Sequence, residues 1–229
     1  MKKIAIMQPY LFPYVGYFQL VKSVDTFVFY DDVAYVKGGW INRNYIKDRT
    51  LFTIPIKNKS SNTKINETHI DWKSFRSDKF FKTIHFLYKD SPFFERIVSM
   101  IKEVFENEPK TIAALSSKSV VSVSNYLNIK TKFKFSSSMD YDREGMGESL
   151  VNICKHESAD RYVNSAGGQD LYHKSFFSKN NITLYFLKTD NIKYNQKSKK
   201  FVPNLSIVDL LFNCSVKELN SFLNCYKIV

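Results

Sequence analysis

Two short apolar runs near the start of the chain, Lys3–Gln8 and Thr26–Tyr30, flank a stretch in which Phe18, Leu20 and Val21 suit a two-turn helix over Gly16–Ser23. Strand, loop, helix and strand in so short a span imply a crossover, and a crossover lays its strands parallel in one sheet. The alternation returns later, with Lys132–Ser137, Arg161–Asn164 and Ile182–Leu187 as strands and Gly147–His156 and Leu171–Lys179 as helices. Between the two α/β stretches the chain reads as helical over Asp78–Tyr88, Pro92–Glu106 and Thr111–Leu127. In the second of these, Phe93, Ile97, Ile101, Val104 and Phe105 fall near a 3.6-residue period, and Pro92 and Pro109 stand near helix starts. Phe52–Ile56 reads as a strand that Pro55 confines to an edge or a strand end. Leu205–Asn213 and Val216–Cys225 close the chain as helices, with Ser206 and Ser215 as N-caps and Glu218 in capping-box position. The expected fold is α/β: a mostly parallel open sheet with flanking helices and a helical middle segment. It is read as one domain over residues 1–229, with the helical insertion at roughly 78–128.

Composition narrows the function classes. With 44% hydrophobic residues, 20 Phe and 14 Tyr against 7 Gly and 6 Pro, most of the chain must build a core rather than a linker or a fibre. Lys and Arg number 34 and Asp and Glu 22, a formal charge of +12 that favours anionic partners such as nucleotides, nucleic acid or an anionic membrane surface. No apolar run approaches the roughly 20 residues a membrane span needs. The opening Met1–Tyr10 loses its apolar character at Gln8-Pro9, too early for a secretory signal. Cys154, Cys214 and Cys225 are odd in number and form no CxxC pair, which argues against a disulfide framework or a zinc site and for a cytoplasmic location. No metal is expected: Asp140, Asp142, Glu144 and Gly145 imitate half of an EF-hand, but Val151 stands where the bidentate Glu belongs. His69, His85, His156 and His173 lack ligand spacing.

Several segments carry chemistry. Gln8–Tyr17, with Pro9, Tyr10, Tyr14, Gly16 and Tyr17, follows the first strand, where open α/β sheets place their ligand crevice; alternatively its aromatics fill a core beside a rigid turn. Asp31 and Asp32 follow the second strand and point to opposite sides, so at most one reaches a shared site, as base, sugar-hydroxyl acceptor or metal ligand, or both form a solvated turn. Trp40, Asn42, Arg43 and Asn44 follow a Gly-Gly turn, and the planar fork of Arg43 suits a phosphate or carboxylate. Gly167, Gly168, Gln169 and Tyr172 lie between a strand and a helix, where backbone amides hold an anion or form a tight turn. Gln196 precedes a basic stretch, and Ser206 and Asp209 follow it; a carboxylate in an apolar helix needs a partner if buried.

Taken together, Ile4–Asn44, Tyr162–Tyr172 and the ending from Tyr194-Asn-Gln196 through Phe201–Asn213 resemble the WbqC family, found among bacterial genes for O-antigen and other surface polysaccharides. Ala34, where a polar residue is expected, and Cys214, where a Gly-like turn is expected, depart from the pattern. The resemblance implies a protein acting on a nucleotide-linked amino-deoxy sugar, by acyl or aminoacyl (for example glycyl) transfer to its amine. The donor is then an activated acyl or aminoacyl group, on an aminoacyl-tRNA or another carrier. In that reading Asp31 or Asp32, or else His173, takes the amine proton; Arg43 and the Gly167 and Gly168 amides meet the oxyanion or a phosphate; and Tyr10, Tyr14 and Tyr17 stack on rings. The basic runs Lys57–Lys64 and Lys193–Lys200 are expected as surface loops, the second bordering the site. Two other readings stand beside it. One is a nucleotide-dependent ligase or nucleotidyltransferase, with Pro13–Tyr17 where a HxGH motif would sit. The other is a non-catalytic binding protein of the polysaccharide assembly machinery.

Overall fold

A computed structural model describes residues 1–57 and 62–229, so the Lys57–Lys64 run falls partly outside the described residues. The main sheet has six strands: β1 (Lys3–Met7), β2 (Thr26–Phe29), β5 (Lys132–Phe135), β6 (Arg161–Ser165), β7 (Thr183–Thr189) and β8 (Tyr226–Ile228). Their order is β5-β2-β1-β6-β7-β8, parallel except for β8. The fold is thus the mixed α/β, mostly parallel arrangement that the strand–helix–strand opening dictates. Every residue of β2 is buried, as a strand covered on both faces must be.

Alternation along the strands sorts the core into two layers. Ala5, Phe27 and Phe29 face α1 (Val15–Lys22) and the helical middle, α2 (Ser77–Tyr88), α3 (Phe94–Phe105) and α4 (Ile112–Tyr126). Ile4, Ile6, Val28, Tyr162, Leu184 and Phe186 face α5 (Met146–His156) and α6 (Lys174–Ser178). The ending is α7 (Ile207–Asn213) and α8 (Val216–Phe222), whose caps are the expected Ser206 and the Ser215–Glu218 box. Cys214 sits in extended backbone at φ −120°, a conformation that needs no glycine. Among the described residues no helix is long and apolar enough to cross a membrane.

Several elements differ from expectation. The hairpin of β3 (Arg43–Ile46) and β4 (Thr50–Thr53) was not anticipated at its first strand. Its turn places Asp48 and Arg49 at φ 54° and 57°, left-handed positions that no glycine or asparagine advertises. The strand expected over Phe52–Ile56 therefore starts and ends earlier, and Ile56 instead bridges Ile70. β8 takes a stretch of the C-terminus that carries little pattern. The helix expected over Leu171–Lys179 is reduced to α6, because Leu171 belongs to a turn and His173 is extended at φ −92°, ψ 126°. The two glycines thus do not open an α-helix.

Candidate functional site

The sheet changes direction between β1 and β6: β1 leads outward to β2, and β6 leads the other way to β7. Ligands of open α/β sheets bind beyond the carboxyl ends of strands at such a point. Here β1 and β6 pair only at Lys3–Arg161 and Ile4–Tyr162, whereas β6 and β7 pair over five residues, so the two central strands part toward their carboxyl ends. A cavity of about 880 Å³ opens in that gap. One wall includes Ile6, Met7 and Gln8, the opposite wall Asn164, Ser165, Gly167 and Gly168, and Tyr30, Asp32, Tyr141, Arg143, Glu144 and Tyr172 are among the remaining lining residues.

Asp32 anchors the charged end. It accepts hydrogen bonds from Tyr141 OH at 2.9 Å, Arg143 Nε at 2.7 Å and Ser136 Oγ. Burial favours the neutral acid, but the Ser136, Arg143 and Tyr141 bonds outweigh it and hold the carboxyl below its ordinary range. Arg143 in turn stacks on the Tyr141 ring at 4.3 Å and donates to the carbonyls of Tyr141 and Met139. Asp31 faces away from the cavity and accepts from Ser137 N–H at 3.0 Å and Ser137 Oγ at 2.8 Å, although it too meets Ser136 Oγ. Burial raises the pKa of Tyr30, Tyr141 and Tyr172, which line the cavity as neutral phenols.

The residues singled out from sequence divide. Gln8, Asp32, Gly167, Gly168 and Tyr172 line the cavity. Tyr17 stands behind it, donating to the Gln8 carbonyl at 2.9 Å. Tyr10 and Tyr14 pack against the core on the α1 face, and Pro9 is buried. Gly16 lies in α1, where a Cβ would meet the Tyr14 ring at 2.4 Å and Thr189 Oγ1 at 2.6 Å. Arg43 stacks on Trp40 at 5.3 Å, donates to the Gly38 carbonyl and does not line the cavity. Gln169 and His173 are exposed, outside its lining.

A second set holds loops together away from the cavity. Phe12, fully buried, takes a left-handed φ of 42°, a strained conformation for a bulky residue. Its carbonyl accepts from Asn44 Nδ2 and Ser206 Oγ, each at 2.7 Å, and its N–H donates to Ser119 Oγ. Asn42 bridges Tyr35 OH and the Ile54 carbonyl. Asp209, with no exposed surface, accepts from Tyr88 OH at 2.7 Å and Tyr194 OH at 2.6 Å, and Gln196 donates to Tyr194 OH. Burial, only partly offset by the tyrosines, pushes the Asp209 carboxyl above its ordinary range.

The lysines also depart from expectation. No residue of Lys193–Lys200 lines the cavity; Lys197 donates to the Asp90 carbonyl instead. Lys64 does line it. Lys2, Lys22, Lys130, Lys132 and Lys134 gather at the opposite, amino ends of β1, β2 and β5 along a groove of about 770 Å³.

A sequence model of the WbqC-like protein family matches residues 8–221, beginning at the first polar residue of the cavity wall. The chain belongs to the WbqC-like family. A relative, the uncharacterized protein Rv1507c of Mycobacterium tuberculosis, is 32% identical over 232 residues, covering 98% of this chain and 99% of that protein. No solved structure matches. In this WbqC-like chain sequence reasoning missed Ser136, Tyr141, Arg143, Glu144, Lys64 and Asn164. Arg143 and Glu144 belong to the loop set aside as a failed EF-hand. Asn164 was within reach, since it ends a strand just before the two glycines, where a switch-point ligand would sit.

Proposed function

We propose that this WbqC-like protein transfers an acyl or aminoacyl group to the amine of a nucleotide-linked amino-deoxy sugar in surface polysaccharide synthesis. The observation that carries the reading is the crevice between β1 and β6, where an Arg143–Asp32 pair, four tyrosines and the Asn164 side-chain amide converge. Its volume suits a ligand of nucleotide-sugar size. The Arg143 guanidinium and the Lys64 ammonium supply positive charge for a phosphate or a developing oxyanion. Tyr30, Tyr141 and Tyr172 offer ring faces.

In the transfer the amine nitrogen bonds to the acyl carbon, the bond from that carbon to the carrier breaks, and the amine loses a proton. Asp32, held below its ordinary range by the Ser136, Arg143 and Tyr141 bonds, is a weak proton acceptor and acts by fixing Arg143 and Tyr141. Glu144, the other carboxylate of the lining, receives the proton. Incubation with a uridine- or thymidine-linked amino sugar and an activated acyl or aminoacyl donor is expected to give a product heavier by the acyl group, read by mass spectrometry. ATP–pyrophosphate exchange without transfer would assign the protein to the ligases or nucleotidyltransferases, and tight binding with neither reaction would make it a binding protein.

A further inference from the structure

Asn164 is a buried polar residue of the cavity wall. It is only 5% exposed, shares its strand face with Tyr162, and lines the cavity beyond the last β1–β6 pair. Its Oδ1 accepts the Ser165 N–H at 2.8 Å, which fixes the amide orientation and turns Nδ2 outward as a donor. Among the described residues Nδ2 has no hydrogen-bond partner. The donor opens onto the cavity, so a ligand acceptor can take it up in place of water.

Gly168 makes this arrangement possible. A Cβ there would stand 2.7 Å from Asn164 Nδ2 and 3.4 Å from the Tyr172 ring, whereas a Cβ at Gly167 meets nothing within 4 Å. Gly168 does not occupy the left-handed region, so space for the amide, rather than backbone conformation, is what calls for glycine. Tyr172 lies beside this donor, and Tyr30 belongs to the same lining.

We infer that Asn164, positioned by Gly168, donates to a ring carbonyl of the ligand, and that the flat group held beside Tyr172 is a pyrimidine base. The inference rests on the cavity being the substrate site, and it adds which part of the substrate lies against β6. A base carbonyl supplies the acceptor, and tyrosine faces suit a planar ring.

The test is calorimetric titration of uridine diphosphate, and separately of glucosamine 1-phosphate, into the full chain and its variants. Asn164→Asp keeps the acceptor for Ser165 N–H and removes the donor; it is expected to weaken uridine diphosphate binding about tenfold, the upper range for one neutral hydrogen bond. Gly168→Ala is expected to weaken it by a similar factor in the wild-type background and to have no further effect in an Asn164→Ala background, a coupling that Gly167→Ala does not show. This cycle carries the test if Asn164→Asp fails to fold. Unchanged affinity in Asn164→Asp, equal losses for the two glycine variants, or a loss confined to the sugar phosphate overturns the assignment and leaves the cavity as a binding site. If the wild-type chain binds neither compound, the reading of the cavity falls as well.

Discussion

Asp32 and Asp209 are both buried and both accept hydrogen bonds from tyrosine hydroxyls, yet their carboxyls shift in opposite directions. Two things differ: Asp209 is the more deeply buried, and Asp32 has a Ser136 bond and a bonded cation that Asp209 lacks. Asp32 has the Arg143 guanidinium at 2.7 Å, while Asp209 has two neutral phenols and no ion pair within its hydrogen-bonding shell. Two phenols satisfy a carboxyl geometrically without offsetting the cost of burying its charge. The arrangement with the guanidinium lines an open cavity, and the one without it closes a seam between α2, α7 and the chain around Tyr194. The Arg143–Asp32 ion pair is thereby separated from the polar contacts that hold the loops.

The largest expected effect tests the seam. Asp209→Ala leaves the Tyr88 and Tyr194 hydroxyls without their acceptor and is expected to cost about 3 kcal/mol of stability, read by urea unfolding. Ligand affinity of the folded variant is expected to stay at the wild-type value; a large loss would join the two regions functionally. Ser206→Ala removes both the α7 cap and one of two donors to the strained Phe12 carbonyl, for about 1.5 kcal/mol by the same measurement.

Arg143→Gln tests the cavity. Its side chain is 42% exposed, so solvent screening limits the stability loss to about 1 kcal/mol. Its clearer signature is an upward shift of the Asp32 carboxyl, followed by NMR titration, together with weakened nucleotide binding. No movement of Asp32 would mean that Ser136 and Tyr141 alone hold it low.

The smallest effect is the pH dependence, and its sign separates the two carboxylates. The native Asp209 carboxyl lies above the ordinary 3.8, so its contribution is complete below 3.8 and is lost as pH rises through the native value. The native Asp32 carboxyl lies below 3.8, so its contribution is present above 3.8 and is lost as pH falls through the native value. Relative to Asp209→Asn, the wild-type chain is therefore expected to gain stability on acidification; relative to Asp32→Asn, it is expected to lose it. Unfolding curves across the acidic range check both slopes, and slopes of equal sign would break the contrast.

The fold was legible where periodicity and caps act locally. β1, α1 and β2, the helical middle, and the caps at Ser206 and Ser215 all follow from apolar spacing and from hydroxyls that satisfy helix amides. The β3 strand was hidden because its residues, Arg-Asn-Tyr-Ile, carry a polar pattern and its turn lacks glycine. The site was legible in part. Gln8 follows β1 at the switch point and Asp32 follows the neighbouring β2, placements that depend on strand order, whereas the Arg143 loop reaches Asp32 across 111 residues of sequence.

By itself the sequence determined a parallel α/β sheet, its helix boundaries to within a few residues, and family membership, because these depend on local spacing and on which residue types occur in order. Only the tertiary structure decided that Asn44, Ser206 and Asp209 bind loops together while Asp32, Arg143 and Asn164 face a cavity. The residue types are alike in both sets. What separates them is whether a distant chain segment, or open space, stands opposite each polar atom, and that is fixed when the strands part and the loops close over them.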